Sequence, residues 1–277
     1  MAIKIVTDST CDISRDTVER FEISVVPAYV MFGEQSYRQG IDINPTQFYA
    51  RLQSSAQLPS TSQPTPGDFT EQLQPLVSEG HQVICITVAR QLSGTYNSAV
   101  QAAAQFDDGA VTIIDSGTAS VGHMLQVVAA AEDAAASDAT AESVAEASRV
   151  RAGNGYGYAM VDTLEYLQKG GRIGKAQAFM GSLLKVKPIL RVANGEVLPV
   201  DRPRNVRRGL QRLEELVREA GSASKLAVAY TTDARPAEEM RNRLSDLADP
   251  ENTYTIQIGS AIGTHTGPGA VAVSTLP

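Results

Sequence analysis

Four separated segments of this chain concentrate the groups that hold an anion: Thr61-Ser62-Gln63-Pro64, Leu92-Ser93-Gly94-Thr95-Tyr96, Lys169-Gly170-Gly171-Arg172 and Gly263-Thr264-His265-Thr266-Gly267-Pro268-Gly269. Together they offer hydroxyls, backbone N–H groups freed by glycine, a guanidinium fork and an imidazole, which is the donor set a carboxylate or phosphate requires. The first chemistry to consider is therefore anion holding.

Each segment also has a plainer reading. Ser93 follows the apolar run Gln82 to Val88 and heads an amphipathic pattern from Gly94 to Phe106, where free N–H groups and the helix dipole attract an anion. A serine there can equally be an ordinary N-cap, and the adjoining Gly-Thr-Tyr favours ligand contact. Thr61 and Ser62 lie in the Ser-, Gln- and Pro-rich stretch Ser54 to Pro66, which is excluded from a central strand or helix. By composition it is a connector. His265 sits among Gly259, Gly263, Gly267 and Gly269, a pattern that predicts a loop with an unusually folded backbone. Lone histidines are commonly hydrogen-bonded loop residues, but the Thr-His-Thr-Gly-Pro-Gly context favours binding. Arg172 can grip a carboxylate or phosphate through its planar fork. The segment is not a P-loop, because Lys169 stands where its first glycine is required and Ala176 where a hydroxyl must follow Lys175.

A catalytic alternative uses the same residues. Ser93 as nucleophile, His265 as base and Asp8 or Asp115 as orienter would make a serine hydrolase. Against it, Gln91 occupies the position where the nucleophile elbow needs glycine. Asp8 and Asp115 each precede a serine, so a cap or turn role is the better reading than an acid–base pair. A third class, a regulatory interaction protein whose bound ligand is only structural, rests on the basic stretch described below.

In the first half, strand-like runs alternate with helical patterns: Ile3 to Thr7 then Asp12 to Phe21, Ser24 to Met31 then Pro45 to Gln53, Gln82 to Val88 then Gly94 to Phe106, and Ala110 to Asp115 then Ser120 to Ala136. This alternation predicts βαβ units on a mostly parallel sheet flanked by helices. Ligands gather at the carboxyl ends of such strands, where Asp8, Ser93 and Asp115 fall. The cluster Gly153-Asn154-Gly155-Tyr156-Gly157 marks the expected boundary between domains 1–155 and 156–277. Beyond it, strands are expected near Tyr158 to Asp162, Glu196 to Asp201, Lys225 to Thr232, Thr253 to Ser260 and Ala270 to Ser274. Helices are expected near Gly174 to Leu184, Arg204 to Ala220 and Arg235 to Leu247. The second domain thus reads as α/β with a mixed or antiparallel sheet, and the ligand site is expected between the two.

At 277 residues, 43% hydrophobic and 20% charged, the chain has the composition of an ordinary globular protein, and its length favours two domains. Its start lacks signal-peptide character and no run of about 18 apolar residues occurs, so a cytoplasmic protein without a transmembrane segment is expected. Cys11 and Cys85 are expected to be structural. His81, His123 and His265 have no metal-ligand spacing, so neither a metal nor another cofactor is expected. The net charge of -7 hides an asymmetry: residues 1–155 sum to -10 and residues 156–277 to +3, with 11 basic and 2 acidic side chains in 169–212. That stretch is either a solvated face or a docking surface for an acidic or nucleotide-bearing partner. Nucleic acid is disfavoured by the sparse aromatics and overall acidity.

These motifs, with Val6-Thr7-Asp8-Ser9-Thr10 and Thr163-Leu164-Glu165-Tyr166-Leu167-Gln168-Lys169-Gly170-Gly171-Arg172, resemble the DegV family, the fatty-acid-binding (FakB-type) subunits of bacterial fatty acid kinase. The resemblance runs from residue 3 to about residue 275. It implies a two-domain α/β fold and a lipid-binding protein of phospholipid metabolism that is not itself an enzyme. Such a protein buries a long-chain fatty acid in an apolar tunnel and presents its carboxylate to an ATP-binding kinase subunit, which makes the acyl phosphate. The resemblance places Thr61, Ser62, Ser93, Gly94, Arg172 and His265 at the ligand, and Arg202 at the pocket mouth or partner surface. Ala89 and Thr65-Pro66 depart from it, standing where the family frequently has serine.

Overall fold

The protein is described by a computed structural model covering residues 2–180 and 186–277. In chain order the first half contains β1 (Ile3–Asp8), α1 (Arg15–Phe21), β2 (Ser24–Val26), β3 (Tyr29–Phe32), β4 (Gln35–Arg38), α2 (Pro45–Ser54), β5 (Ser60–Ser62), α3 (Pro66–Ser78), β6 (Gln82–Thr87), α4 (Thr95–Ala103), β7 (Val111–Asp115), α5 (Ser120–Ala134) and α6 (Ala141–Asn154). The remainder contains β8 (Tyr156–Met160), α7 (Glu165–Lys169), β9 (Ile189–Ala193), β10 (Glu196–Asp201), α8 (Val206–Glu219), β11 (Lys225–Tyr230), α9 (Arg235–Arg243), β12 (Thr253–Gln257), α10 (Ser260–Thr266) and β13 (Val271–Leu276).

Strands β2, β1, β6 and β7 form an all-parallel sheet in that order. Along β6 the side chains alternate between two covers: Val83 and Cys85 face Phe69, Leu73, Ala99 and Ala102, while Ile84 and Ile86 face Val127, Ala130 and Val144. A parallel sheet buried on both faces needs apolar residues at every position, which is why β6 reads as a continuous hydrophobic run. The expected strand Ser24 to Met31 is two strands in two different sheets. Pro27 offers no N–H to a ladder, and beyond it β3 pairs antiparallel with β4 and β5 in a separate three-stranded sheet.

A six-stranded sheet follows, in the order β10-β9-β8-β13-β11-β12. Its ladders are antiparallel except β11 with β12, so it is the mixed sheet the sequence allowed. Leu210, Leu213 and Val217 of α8 and Met240 of α9 cover one face. Helix α5 covers the other through Val121, Met124, Leu125 and Val128, against Ala227, Ala229, Ile256 and Ala272. The same helix sends Val127, Ala130 and Ala131 into the parallel sheet. It is buried on all sides from residue 123 to 131, as a helix held between two sheets must be.

Residues Gly174–Phe179 form a 3-10 helix and not the α-helix expected there; the C-terminal part of that expected span, with Lys185 of the basic stretch, lies outside the described residues. Among the described residues no helix is long and apolar enough to cross a membrane. Within them, no group of three or more His, Cys, Asp or Glu is placed to hold a metal ion. Both cysteines are buried and free, and desolvation pushes their thiols above the ordinary range, which suits packing over reactivity.

Candidate functional site

A cavity of about 310 Å³ opens where the elements of both halves meet, at the small end of the size range of ligand pockets, roughly 300–1,000 Å³. Much of its wall is aliphatic, including Val121, Leu167, Leu190, Val197, Ile262 and Val273. Thr61, Ser62, Ser93, Arg172 and His265 also line it, although they come from segments separated by up to 204 positions in the chain.

Thr61 is positioned by β5, whose short ladder pairs it with Val30 of β3. Pro59 and Pro64 flank a segment too polar to signal a strand, so only its partner reveals it. His265 is not in a loop, as its glycines suggested, but in the last turn of α10. Gly267, at φ +72, ends that helix in the left-handed region that glycine tolerates, and a Cβ there would strike the Tyr166 ring. The two residues meet directly: Thr61 Oγ1 lies 3.0 Å from His265 Nε2.

The imidazole is neutral near pH 7. Burial, then the nearby Arg172 guanidinium, pushes its pKa down to about 4. Its Nδ1 is buried without a hydrogen-bond partner and sits against Gly170, where any Cβ would collide with the ring. A buried unpaired N–H is the costlier orphan, so we assign the proton to Nε2, donating to Thr61 Oγ1. Thr61 then keeps its own hydroxyl proton for another acceptor.

Ser93 shares a 2.8 Å hydrogen bond with Thr95 Oγ1 and accepts the Thr95 N–H at 3.3 Å. This local turn sets it ahead of α4, close to the backbone that Arg172 grips. Arg172 donates from Nε to the Leu92 carbonyl at 3.2 Å and from Nη1 to the Gly170 carbonyl at 2.8 Å. Two of its five donors thereby fix the exposed guanidinium at the cavity mouth.

Gly94, expected at the ligand, does not reach the cavity wall, and Arg202, expected at the pocket mouth or partner surface, does not line it either. Gly94 is the N-cap of α4, packed so closely on the Gln63 side chain that a Cβ would overlap it. Arg202 instead places its guanidinium 4.8 Å from the centroid of the Phe179 ring. Sequence reasoning missed Gln63 and Thr95, which also line the cavity. Both lay inside the quoted motifs, and their hydrogen-bonding side chains were the available signal.

The hydrolase arrangement is not assembled. Ser93 bonds to Thr95 and His265 to Thr61. Asp8 is a buried cap, accepting Thr10 N–H at 3.0 Å and Val88 N–H at 2.9 Å. Asp115 accepts the Gly117 N–H at 2.9 Å and pairs with Arg90 at 3.5 Å.

Compared with known families, residues 2–277 match the one described as "Uncharacterised protein, DegV family". A DegV domain-containing protein of Deinococcus radiodurans is 35% identical over 100% of this chain and 99% of its own. The Bacillus subtilis protein DegV is 33% identical over 99% and 98%. Among solved structures, a fatty-acid-binding DegV family protein from Thermus thermophilus superposes with TM-score 0.92 at 32% identity, covering 100% of both chains. The Bacillus subtilis structure, described as DegV, a fatty acid binding protein, gives 0.88 at 31%, again over 100% of both. The chain belongs to the DegV family.

Two outcomes follow from this geometry. Because His265 is held at about 4 in the folded protein against 6.5 for a free imidazole, the unfolded chain takes up the proton first. Its contribution to stability is present above pH 6.5 and lost as the pH falls through 4. Urea midpoints measured between those limits should therefore fall less steeply for His265→Gln than for the parent. A fluorophosphonate probe should leave no adduct on Ser93 detectable by intact-mass spectrometry, since no base contacts its hydroxyl.

Proposed function

We propose that this chain binds a long-chain fatty acid, with the acyl chain in the cavity and the carboxylate at Thr61, Ser93, Arg172 and His265. The observation that carries this reading is the composition of the cavity wall: aliphatic side chains line much of it, and hydroxyl, imidazole and guanidinium groups from four motifs are gathered on it. Burying an acyl chain gains about 0.8 kcal/mol per methylene, so the apolar wall supplies affinity and the polar groups orientation. The fatty-acid-binding descriptions of related structures support it.

The roles follow from the hydrogen bonds. His265 Nε2 donates to Thr61, which frees the Thr61 hydroxyl to donate to a carboxylate oxygen. Ser93 does the same when Thr95 is the donor of their shared bond. Arg172 supplies the compensating charge, strongest where water is displaced. Ser62, Gln63 and Thr95 complete the polar lining in this reading, with residues 1–155 and 156–277 as the two domains that enclose the ligand.

The held carboxylate is then presented to an ATP-dependent kinase partner. Its outer oxygen attacks the γ-phosphorus, ADP leaves, and an acyl phosphate forms for phospholipid synthesis in the cytoplasm. Phosphoryl transfer asks mainly for positioning and charge compensation, which a binding subunit can supply without an ATP site of its own. The partner surface is assigned to Arg204, Arg207 and Arg208, with Arg202 beside them. Elsewhere in the basic stretch Lys169, Lys175, Lys187 and Arg212 are paired with Glu165, Glu196, Asp162 and Asp201. Arg204, Arg207 and Arg208 are exposed, and Arg207 and Arg208 stand in the first turn of α8, where no acidic residue offsets them. Cations there oppose the helix dipole, a cost better explained by a partner than by folding.

Ser93→Ala should weaken palmitate binding by about one to two decades, since losing a hydrogen bond to a charged group costs roughly 1.5–3 kcal/mol. Titration of delipidated protein checks it, and mass spectrometry of the denatured, as-purified protein should show stoichiometric fatty acid. Unchanged palmitate affinity in a folded Ser93→Ala protein would remove Ser93 from the head-group site. Reversing Arg204, Arg207 and Arg208 to Glu should slow association with the purified kinase and flatten its salt dependence, with lipid content unchanged. Normal turnover at low and high salt would return the stretch to a solvated face.

A further inference from the structure

The short helix that carries His265 is anchored at its other end by two buried side chains outside the cavity wall. Asp12 Oδ1 accepts the Gly259 N–H at 2.8 Å and Gln39 Nε2 at 3.5 Å, and its Oδ2 accepts the Ser120 hydroxyl at 2.6 Å. Gln39 Oε1 accepts the Ala261 N–H at 2.7 Å and the Ser260 hydroxyl at 3.4 Å, and its Nε2 donates to the Ser9 carbonyl at 2.6 Å. Asp12 is 5% exposed and Gln39 8%.

Helix starts leave N–H groups without partners. In α10 no local side chain caps them, and acceptors more than 200 positions earlier in the chain take their place. The site is shaped for this. Asp12 at φ 55 and Ser120 at φ 53 both hold the left-handed conformation, which non-glycine residues adopt only under constraint. At Gly259 a Cβ would come within 2.7 Å of Asp12 Oδ1 and 2.8 Å of Gln39 Cδ, so only glycine lets the two side chains reach the helix.

We propose that Asp12 and Gln39 are positioning residues for the anion-holding site: by fixing the N-terminal amides of α10 they set where His265 stands against Thr61. The identity of the anion rests on the fatty-acid reading above; the positioning does not. With seven residues, α10 is only about 10 Å long, so a shift at its start is carried to its last turn. Displacement without unfolding is possible because Tyr49 independently donates to the Ile258 carbonyl at 3.1 Å. Asp8, Cys11 and Tyr49 are the titratable groups that interact with Asp12, and no base hydrogen-bonds it. Burial pushes its carboxyl up to about 7, and Asn has the same shape, keeps an acceptor for the Gly259 N–H and tolerates the left-handed backbone.

The test compares Asp12→Ala, Asp12→Asn and Gln39→Ala in the full chain, delipidated, with three readouts: the ¹⁵N resonances of the His265 ring, amide exchange over 260–266, and palmitate titration. Asp12→Ala and Gln39→Ala should shift the ring resonances, speed exchange in α10 and weaken palmitate binding 10-fold or more, while Asp12→Asn should restore all three. Should Asp12→Ala fail to fold, Gln39→Ala, with ordinary backbone geometry, carries the same readouts. Parental ring resonances and exchange in the folded variants would overturn the proposal whatever the palmitate result, as would an Asn variant as impaired as Ala. Shifted resonances in a protein whose parent form binds no palmitate would sink the fatty-acid reading and leave the positioning role standing.

Discussion

The rest of the structure depends on the burial of α5 between two sheets. Apolar side chains project from it on opposite sides, and such a helix must be covered on both to stay out of water. The parallel sheet takes one side and the mixed sheet the other, which fixes the two halves of the chain against each other. The cavity begins at the N-terminal turn of this helix, where Ser120, Val121 and Gly122 line it, so one packing constraint sets both the architecture and the position of the ligand space.

Around that space, the polar side chains of the site are held in place by hydrogen bonds within the protein. Asp8 and Asp12 are buried carboxyl groups already occupied, Asp8 by the Thr10 and Val88 N–H groups and Asp12 by the Gly259 N–H, the Gln39 amide and the Ser120 hydroxyl. Thr61 bonds to His265, and Ser93 to the Thr95 hydroxyl and N–H, and each hydroxyl keeps capacity for a further partner. A neutral histidine and an exposed arginine divide the electrostatic work: burial keeps His265 uncharged, and the guanidinium, anchored by two carbonyls, keeps its charge near water. Placing the full charge at the rim avoids the desolvation penalty of a buried cation.

Much of the fold was legible because its signals are local. The βαβ rhythm of the first half, the boundaries of α2 and α5, and the strands β10 and β11 follow from apolar periodicity. The parts that were not legible depend on distant partners. Strand β5 is three polar residues made extended by pairing with β3, and β4 is polar and short. Helix α10 is rich in glycine, β-branched and hydroxyl residues that have poor helix propensity, and it forms because Asp12, Gln39 and Tyr49 hold its entrance. Helices α3 and α6 begin at capping boxes on Thr65 and Thr140, the first set among prolines that equally suit a loop.

The sequence by itself determined which chemical groups were available and in what local company: hydroxyls beside glycine, a guanidinium after paired glycines, a histidine among threonines. Residue type and short-range spacing are written in the chain. Only the tertiary structure decided that Thr61 meets His265, that Ser93 does not, that Arg172 stands at the mouth while Arg202 turns to Phe179, and that Gly94 yields its place on the wall to Gln63 and Thr95. Those outcomes are fixed by contacts between segments tens to hundreds of residues apart, and long-range register is set by burial of whole faces and not by any local pattern.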